Sequence, residues 1–219
     1  MQNKGDINLS RGKFIYIFGI DGSGKTTLLK NLEKKLSSQF QSRVVSPVKN
    51  FTHIKELEEI AGRLNMSRRE CFSETIRGNI WAVELVNTSS SFIEPQLEQN
   101  KIVLIDRYTI CNYVYTKQNK VSTTTIENIH RAVVKPDVFI YLDTDCDIAY
   151  RRILNRGKKI SPKEMPEKLL EAKVLYDRYI KEKNINAIRI NGNLDEETVL
   201  THALESLNAQ FGEVSYGSI

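Results

Sequence analysis

Nine residues, "GIDGSGKTT" (19–27), bring glycines, a lysine and adjacent hydroxyls together at the spacing G-x-x-x-x-G-K-[ST], a combination suited to gripping phosphate. Backbone N–H groups of a turn that glycine permits converge on phosphate oxygens, and a helix opening behind the turn adds partial positive charge. Gly22, Ser23 and Gly24 form that cradle, within a loop that begins at Gly19 and includes Asp21. Lys25 is placed to reach β/γ-phosphates, the Thr26 hydroxyl suits Mg²⁺, and Thr27 adds a hydroxyl on the α-phosphate side. The loop therefore predicts a nucleoside triphosphate and its metal, but it does not name a reaction, because switches, motors and kinases share such loops.

Two further stretches narrow the chemistry. "KIVLIDRY" (101–108) is an apolar run ending in Asp106, Arg107 and Tyr108. A carboxylate at that sheet edge can hold the metal through water, and the guanidinium beside it suggests a second phosphate group nearby. "PDVFIYLDTDCDIAYRRILNRGKK" (136–159) is a strand followed by a helix bearing Arg151, Arg152 and Arg156. Arg152 and Arg156 share a helix face and could close over phosphates, or could be solvated residues paired with carboxylates.

These residues need strands to end beside one another, and the wider sequence supplies them. Strand-like runs at 14–18, 43–46, 102–105, 138–142 and 187–190 alternate with helical patterns at 25–39, 126–134, 148–155, 164–181 and 196–207. A long, mostly helical stretch at 55–99 is broken around Asn65 and Pro95. Alternation of this kind predicts an α/β fold of parallel strands with helices on both faces and ligands at the carboxyl strand ends.

The length, 219 residues at 40% hydrophobic content, supports one core. The reading is one domain over 13–210 with tails at 1–12 and 211–219. Cys71, Cys111 and Cys146 have no paired spacing, and His53, His130 and His202 lack ligand spacing, so neither disulfides nor a zinc site are expected. No apolar run approaches membrane-spanning length and the first residues lack a signal-peptide core, which points to a cytoplasmic protein without a membrane partner. The formal net charge of +5 is spread along the chain rather than gathered with aromatics, so no nucleic-acid partner is expected.

Taken together, "GIDGSGKTT", "DRY" (106–108), the "PD…YLD" strand (136–143) and "RILNRG" (152–157) resemble the thymidylate kinase family of P-loop nucleoside monophosphate kinases, over about residues 14–207. The resemblance implies a three-layer α/β/α sandwich with a five-stranded parallel sheet ordered 2-3-1-4-5, a helical lid at about 150–166, and ATP- and Mg²⁺-dependent transfer to a small nucleotide-like phosphate acceptor. It also implies a homodimer packed through helices of the middle region, for which "IWAVELV" (80–86) could serve, or could instead face the core. Carried over to this chain, Asp21 contacts the acceptor's sugar hydroxyl or the metal shell, and Arg107 holds the acceptor phosphate. Lys25 stabilises the transferred group, and Arg152 or Arg156 supplies the lid arginine, because Ser23 stands where some loops carry one. Thr26 and Asp106 would form the metal site. On the acceptor side Trp81, Asn87, Tyr108 and Tyr115 remain, Trp81 being equally readable as core.

The sequence departs from the family there. "SPVKNFTHI" (46–54) replaces the usual "REPGG", and "KKISPKE" (158–164) replaces the lid's "DR-F/I-E". Counting back from Asp106, Leu85 falls where the family carries its base-reading Arg, and Cys111 and Thr116 replace its usual Ser and Gln. The acceptor is therefore expected to be a nucleoside monophosphate that need not be dTMP. A different nucleoside or a phosphorylated biosynthetic intermediate is the second reading, and a non-catalytic ATP-dependent interaction protein the third.

Overall fold

The computed structural model describes residues 11–40, 44–45 and 52–211. Most of "SPVKNFTHI", both outer strand residues Arg43 and Ser46, and most of both tails lie outside the described residues.

Five parallel strands are ordered β2-β3-β1-β4-β5: β1 (Lys13–Phe18), β2 (Val44–Val45), β3 (Ile102–Asp106), β4 (Val138–Asp143) and β5 (Ala187–Asn191). β1 and β3 are buried along nearly their whole length, Lys13 at the start of β1 being the one partly exposed position, because helices cover both faces, as a parallel sheet requires. One layer of core joins Phe14, Tyr16 and Phe18 to Tyr108, Tyr141 and Tyr176. The other joins Ile15 and Ile17 to Leu28, Leu32, Ile140 and Leu207. Each such fully buried side chain contributes about 1.5–3 kcal/mol, so the strand ends are held firmly enough to position charged groups.

Helix α1 (Lys25–Phe40) opens directly from the phosphate loop, and α10 (Glu196–Phe211) packs beside it. On the opposite face lie α2 (Thr52–Arg63), α3 (Arg68–Cys71), α4 (Glu74–Thr88), α5 (Glu94–Glu98), α6 (Thr109–Gln118), α7 (Thr124–Ile129), α8 (Cys146–Leu154) and α9 (Pro166–Glu182). The expected break at Asn65 is present, with that residue in the left-handed region at φ 53°. Pro95 makes no break: five π-helical residues, Ser89–Ile93, lead straight into α5, where the proline occupies the first turn and needs no N–H partner. The helix expected over 126–134 begins at Thr124 and tightens into a 3₁₀ turn, His130–Ala132.

"IWAVELV" mostly faces inward, since Ala82, Glu84 and Leu85 are buried and only Val83 is exposed among its large apolar residues. No described helix is long and apolar enough to cross a membrane.

Candidate active site

Two clefts open at the carboxyl edge of the sheet. The first, about 500 Å³, is lined by the loop from Asp21 to Leu28, by Asn31, Arg107, Arg152 and Arg156, and by the turn after β5 (Gly192, Leu194, Asp195). The second, about 410 Å³, is lined by α2, α3, α4 and α6 through Leu57, Arg68, Arg69, Arg77, Trp81, Asn112 and Tyr115, and by Lys163 from the lid. Arg107 lines both.

The loop's glycines are required where backbone meets backbone. A Cβ on Gly22, at φ 83°, would stand 2.3 Å from the Ala149 carbonyl oxygen, and one on Gly19, at φ 147°, 2.6 Å from that of Leu142. The loop is thus clamped between β4 and α8. Lys25, itself buried, folds across it and donates from Nζ to the Ile20 carbonyl and the Ser23 hydroxyl. Burial, and then the neighbouring Arg107, lower its pKa to about 8. Asp21 and Asp106 oppose that shift, and an anion in the cleft would oppose it further. The Thr26 hydroxyl donates to Asp106 Oδ2 at 2.8 Å, leaving a hydroxyl and a carboxylate side by side. Their hard oxygens fit Mg²⁺, Thr26 directly and Asp106 from behind it. Among the described residues no group of three or more His, Cys, Asp or Glu could hold a metal alone, so phosphate and water oxygens would complete such a shell.

Arg107 has φ 65°, a left-handed conformation unusual for a residue with a side chain. That twist turns its guanidinium back to the sheet edge, where it pairs with Asp21. It sends the next residue the other way: Tyr108 is fully buried, edge-on to Phe14 at 5.3 Å, and donates to the Val134 carbonyl. Tyr108 is therefore a core residue and contacts neither cleft. Burial alone would raise the Asp21 carboxyl, but Arg107, Lys163 and Lys25 together hold it well below the usual carboxylate range. Asp21 is thus a buried anion bracing cations, and it is closed to solvent at 2% exposure.

The two arginines expected in a lid differ. Arg152 is tied to the turn after β5, donating to the carbonyls of Gly192 (2.7 Å) and Leu194 (3.4 Å). Arg156 is more exposed and faces Glu164 at 3.6 Å. Both line only the first cleft.

In the second cleft Trp81 forms a wall, and Tyr115 lies beneath two cations, Arg107 at 5.7 Å and Lys163 at 4.8 Å from its ring centre. Asn87 does not reach it. Six residues beyond Trp81 on α4, it has rotated about 240° around the helix and is exposed, its carbonyl accepting from Ser91. Leu85 is also no part of the wall, being 1% exposed within the core. The guanidinium that α4 offers the cleft is Arg77, fixed by Glu74 and by the carbonyls of Phe72 and Arg69. Cys111 is a packed thiol, accepting from the hydroxyls of Tyr16 and Tyr176 at 3.2 Å each.

Sequence reasoning missed Arg68, Arg69, Arg77, Asn112 and Lys163. Three of them had a local signal, the capping-box spacing S-x-x-E: Ser67 and Glu70 enclose Arg68 and Arg69, and Ser161 and Glu164 enclose Pro162 and Lys163.

The sequence profile of the thymidylate kinase family matches residues 17–202. A probable thymidylate kinase of Pyrobaculum aerophilum is 33% identical over 144 residues, 66% of this chain and 71% of the relative. A thymidylate kinase of Leptospira interrogans is 30% identical over 196 residues, 88% and 92% of the two chains. The crystal structure of thymidylate kinase from Ehrlichia chaffeensis has the same fold at TM-score 0.66 and 20% identity, covering 90% of this chain and 98% of its own. Because the profile spans the phosphate loop, the Asp106–Arg107 edge and the 152–164 segment alike, this chain belongs to the thymidylate kinase family.

Proposed function

We propose that the protein transfers the γ-phosphoryl group of ATP to the phosphate of a nucleoside monophosphate, with ATP in the first cleft and the acceptor in the second. The observation carrying this reading is Arg107, the guanidinium shared by both clefts and braced by Asp21 from the phosphate loop. A kinase of a phosphorylated acceptor needs a cation where the two phosphates meet, and one excluded from bulk water acts strongly.

Each residue then has a task. Main-chain amides of 22–25 hold the β-phosphate, Lys25 shifts from the Ile20 carbonyl to phosphate oxygens, and Arg107 holds the acceptor phosphate in line. Thr26 and Asp106 are the residues to hold Mg²⁺, which when bound supplies charge neutralisation on the triphosphate. No covalent intermediate is required, since orientation and charge stabilisation suffice for a loose phosphoryl-transfer transition state. Trp81 offers an aromatic face to a base. The acceptor is read without a guanidinium at position 85, so its base need not be thymine. The kinase unit is assigned to residues 13–210, with a lid at about 150–166, acting as a cytoplasmic homodimer.

The test offers purified protein ATP, Mg²⁺ and a panel of nucleoside 5′-monophosphates, modified pyrimidines included, beside the matching unphosphorylated nucleosides. Acceptor-dependent ADP formation with diphosphate product is expected for at least one monophosphate. Turnover with nucleosides only, or with nothing offered, would sink the reading.

A further inference from the structure

We propose that Lys163, rather than Arg152 or Arg156, is the lid cation that contacts the phosphoryl group during transfer. This inference rests on the kinase reading above and adds a residue to it.

Transfer has to occur where the two clefts meet, and that place is marked by Arg107 and Asp21. Lys163 is there: its Nζ lies 2.9 Å from Asp21 Oδ2, on the oxygen opposite the one taken by Arg107, and 4.8 Å above the Tyr115 ring. The lid arginines stand elsewhere, Arg152 held by two carbonyls of the turn after β5 and Arg156 by Glu164. Neither lines the acceptor cleft, whereas Lys163 does.

The position of Lys163 is built rather than incidental. Ser161 and Glu164 cap one another's backbone across a 3₁₀ turn that begins with Pro162, so three residues of lid are stiff. The same turn touches three parts of the site: Ser161 Oγ accepts from Arg69 of α3 at 3.2 Å, Lys163 reaches the phosphate loop, and Glu164 faces Arg156 of the segment after α8. One short turn therefore ties the acceptor side, through Arg69, to the phosphate loop, through Lys163 and Asp21.

Charge counting favours a phosphate there. The Asp21 carboxylate is shared by Arg107, Lys163 and Lys25, three cations packed on one anion. Burial, and then Arg107, lower the Lys163 pKa, opposed by Asp21. Phosphate oxygens entering between these cations relieve their mutual repulsion. In the step itself the bond from the γ-phosphorus to the bridging oxygen breaks and its electron pair leaves with ADP. A bond from an acceptor phosphate oxygen to that phosphorus forms. The attacking oxygen is already deprotonated, so Lys163 donates hydrogen bonds and keeps its proton throughout.

The experiment compares Lys163→Ala, Lys163→Arg and Arg152→Ala with the unaltered protein, using the best acceptor from the panel. Lys163→Ala should lower kcat about 100-fold while KM for ATP and acceptor stays within about threefold, the pattern of a contact made in the transition state. Lys163→Arg should recover to within about tenfold of the unaltered kcat, and propylamine added to Lys163→Ala should raise kcat, whereas it leaves Arg152→Ala unchanged. Melting temperatures separate these effects from misfolding. A kcat for Lys163→Ala within about threefold of normal, a loss confined to KM, or no rescue by either arginine or amine overturns the proposal while the kinase reading stands. Absence of turnover by the unaltered protein overturns both.

Discussion

The donor cleft is written in one place and the acceptor cleft in many. Residues 21–28 supply most of the phosphate seat, using main-chain amides whose direction is fixed by glycine conformation and by contact with β4 and α8. The acceptor cleft draws single side chains from α2, α3, α4, α6 and the lid, far apart in the chain. A backbone seat tolerates only a narrow sequence and so announces itself. A side-chain seat can be rebuilt by substitution at any of several helices, which is how Arg77 comes to face the cleft while Leu85 sinks into the core.

The largest effect that would separate the two regions is at Lys25. Lys25→Met should lower kcat by about 10²–10³-fold with every acceptor, and steady-state assays across the panel would show whether the loss is acceptor-independent as a donor-side residue requires. Arg107→Ala comes next. It should lower kcat/KM for the acceptor by about 100-fold and leave ATP affinity within about threefold, measured by initial rates and nucleotide titration; equal loss for both ligands would blur the division between clefts.

Glycines sharpen the contrast further. Gly22→Ala meets a carbonyl oxygen that cannot move away, at a backbone angle a side chain resists, and should cost more than about 2 kcal/mol of stability along with ATP binding. Gly78→Ala on α4 meets a side chain instead of backbone, the Thr116 hydroxyl at 2.9 Å, which donates to Asn112 Oδ1, so it should cost less stability than Gly22→Ala while the acceptor KM rises a few-fold. Paired thermal melts and kinetics decide this.

The smallest effect is a proton. With Lys25 near pKa 8 in the folded protein and about 10.4 when unfolded, the unfolded chain binds the extra proton between those values, so this residue makes stability rise with pH across that window. Lys25→Met should remove that rise. Phosphate binding raises the Lys25 pKa, so ATP binding at pH 8.5–9 should take up a fraction of a proton, falling away by about pH 7; calorimetry in buffers of different ionisation enthalpy measures it.

The sheet was legible because β1, β3 and β4 are apolar runs between polar or glycine-rich turns, and their ends were read within a residue or two. Helix α6 was not. "TICNYVYTKQ" is rich in β-branched and aromatic residues with weak helix propensity, and it shows no single apolar face because both its faces are used. Ile110 and Val114 enter the core, while Asn112, Tyr115 and Thr116 line the acceptor cleft. Tyr108 was misplaced because nothing in "DRY" announces the left-handed turn at Arg107. Asn87 was misplaced because position in a gap-free count says nothing about which way a helix faces.

The central claim is that one guanidinium joins two phosphate seats, and an analogue linking adenosine to the acceptor nucleoside through a chain of phosphates probes it most directly. Calorimetric competition should show one analogue per protein displacing both ATP and the monophosphate, with affinity falling in Arg107→Ala. An analogue that displaces only one of the two ligands, or binds beside the other, would contradict the account.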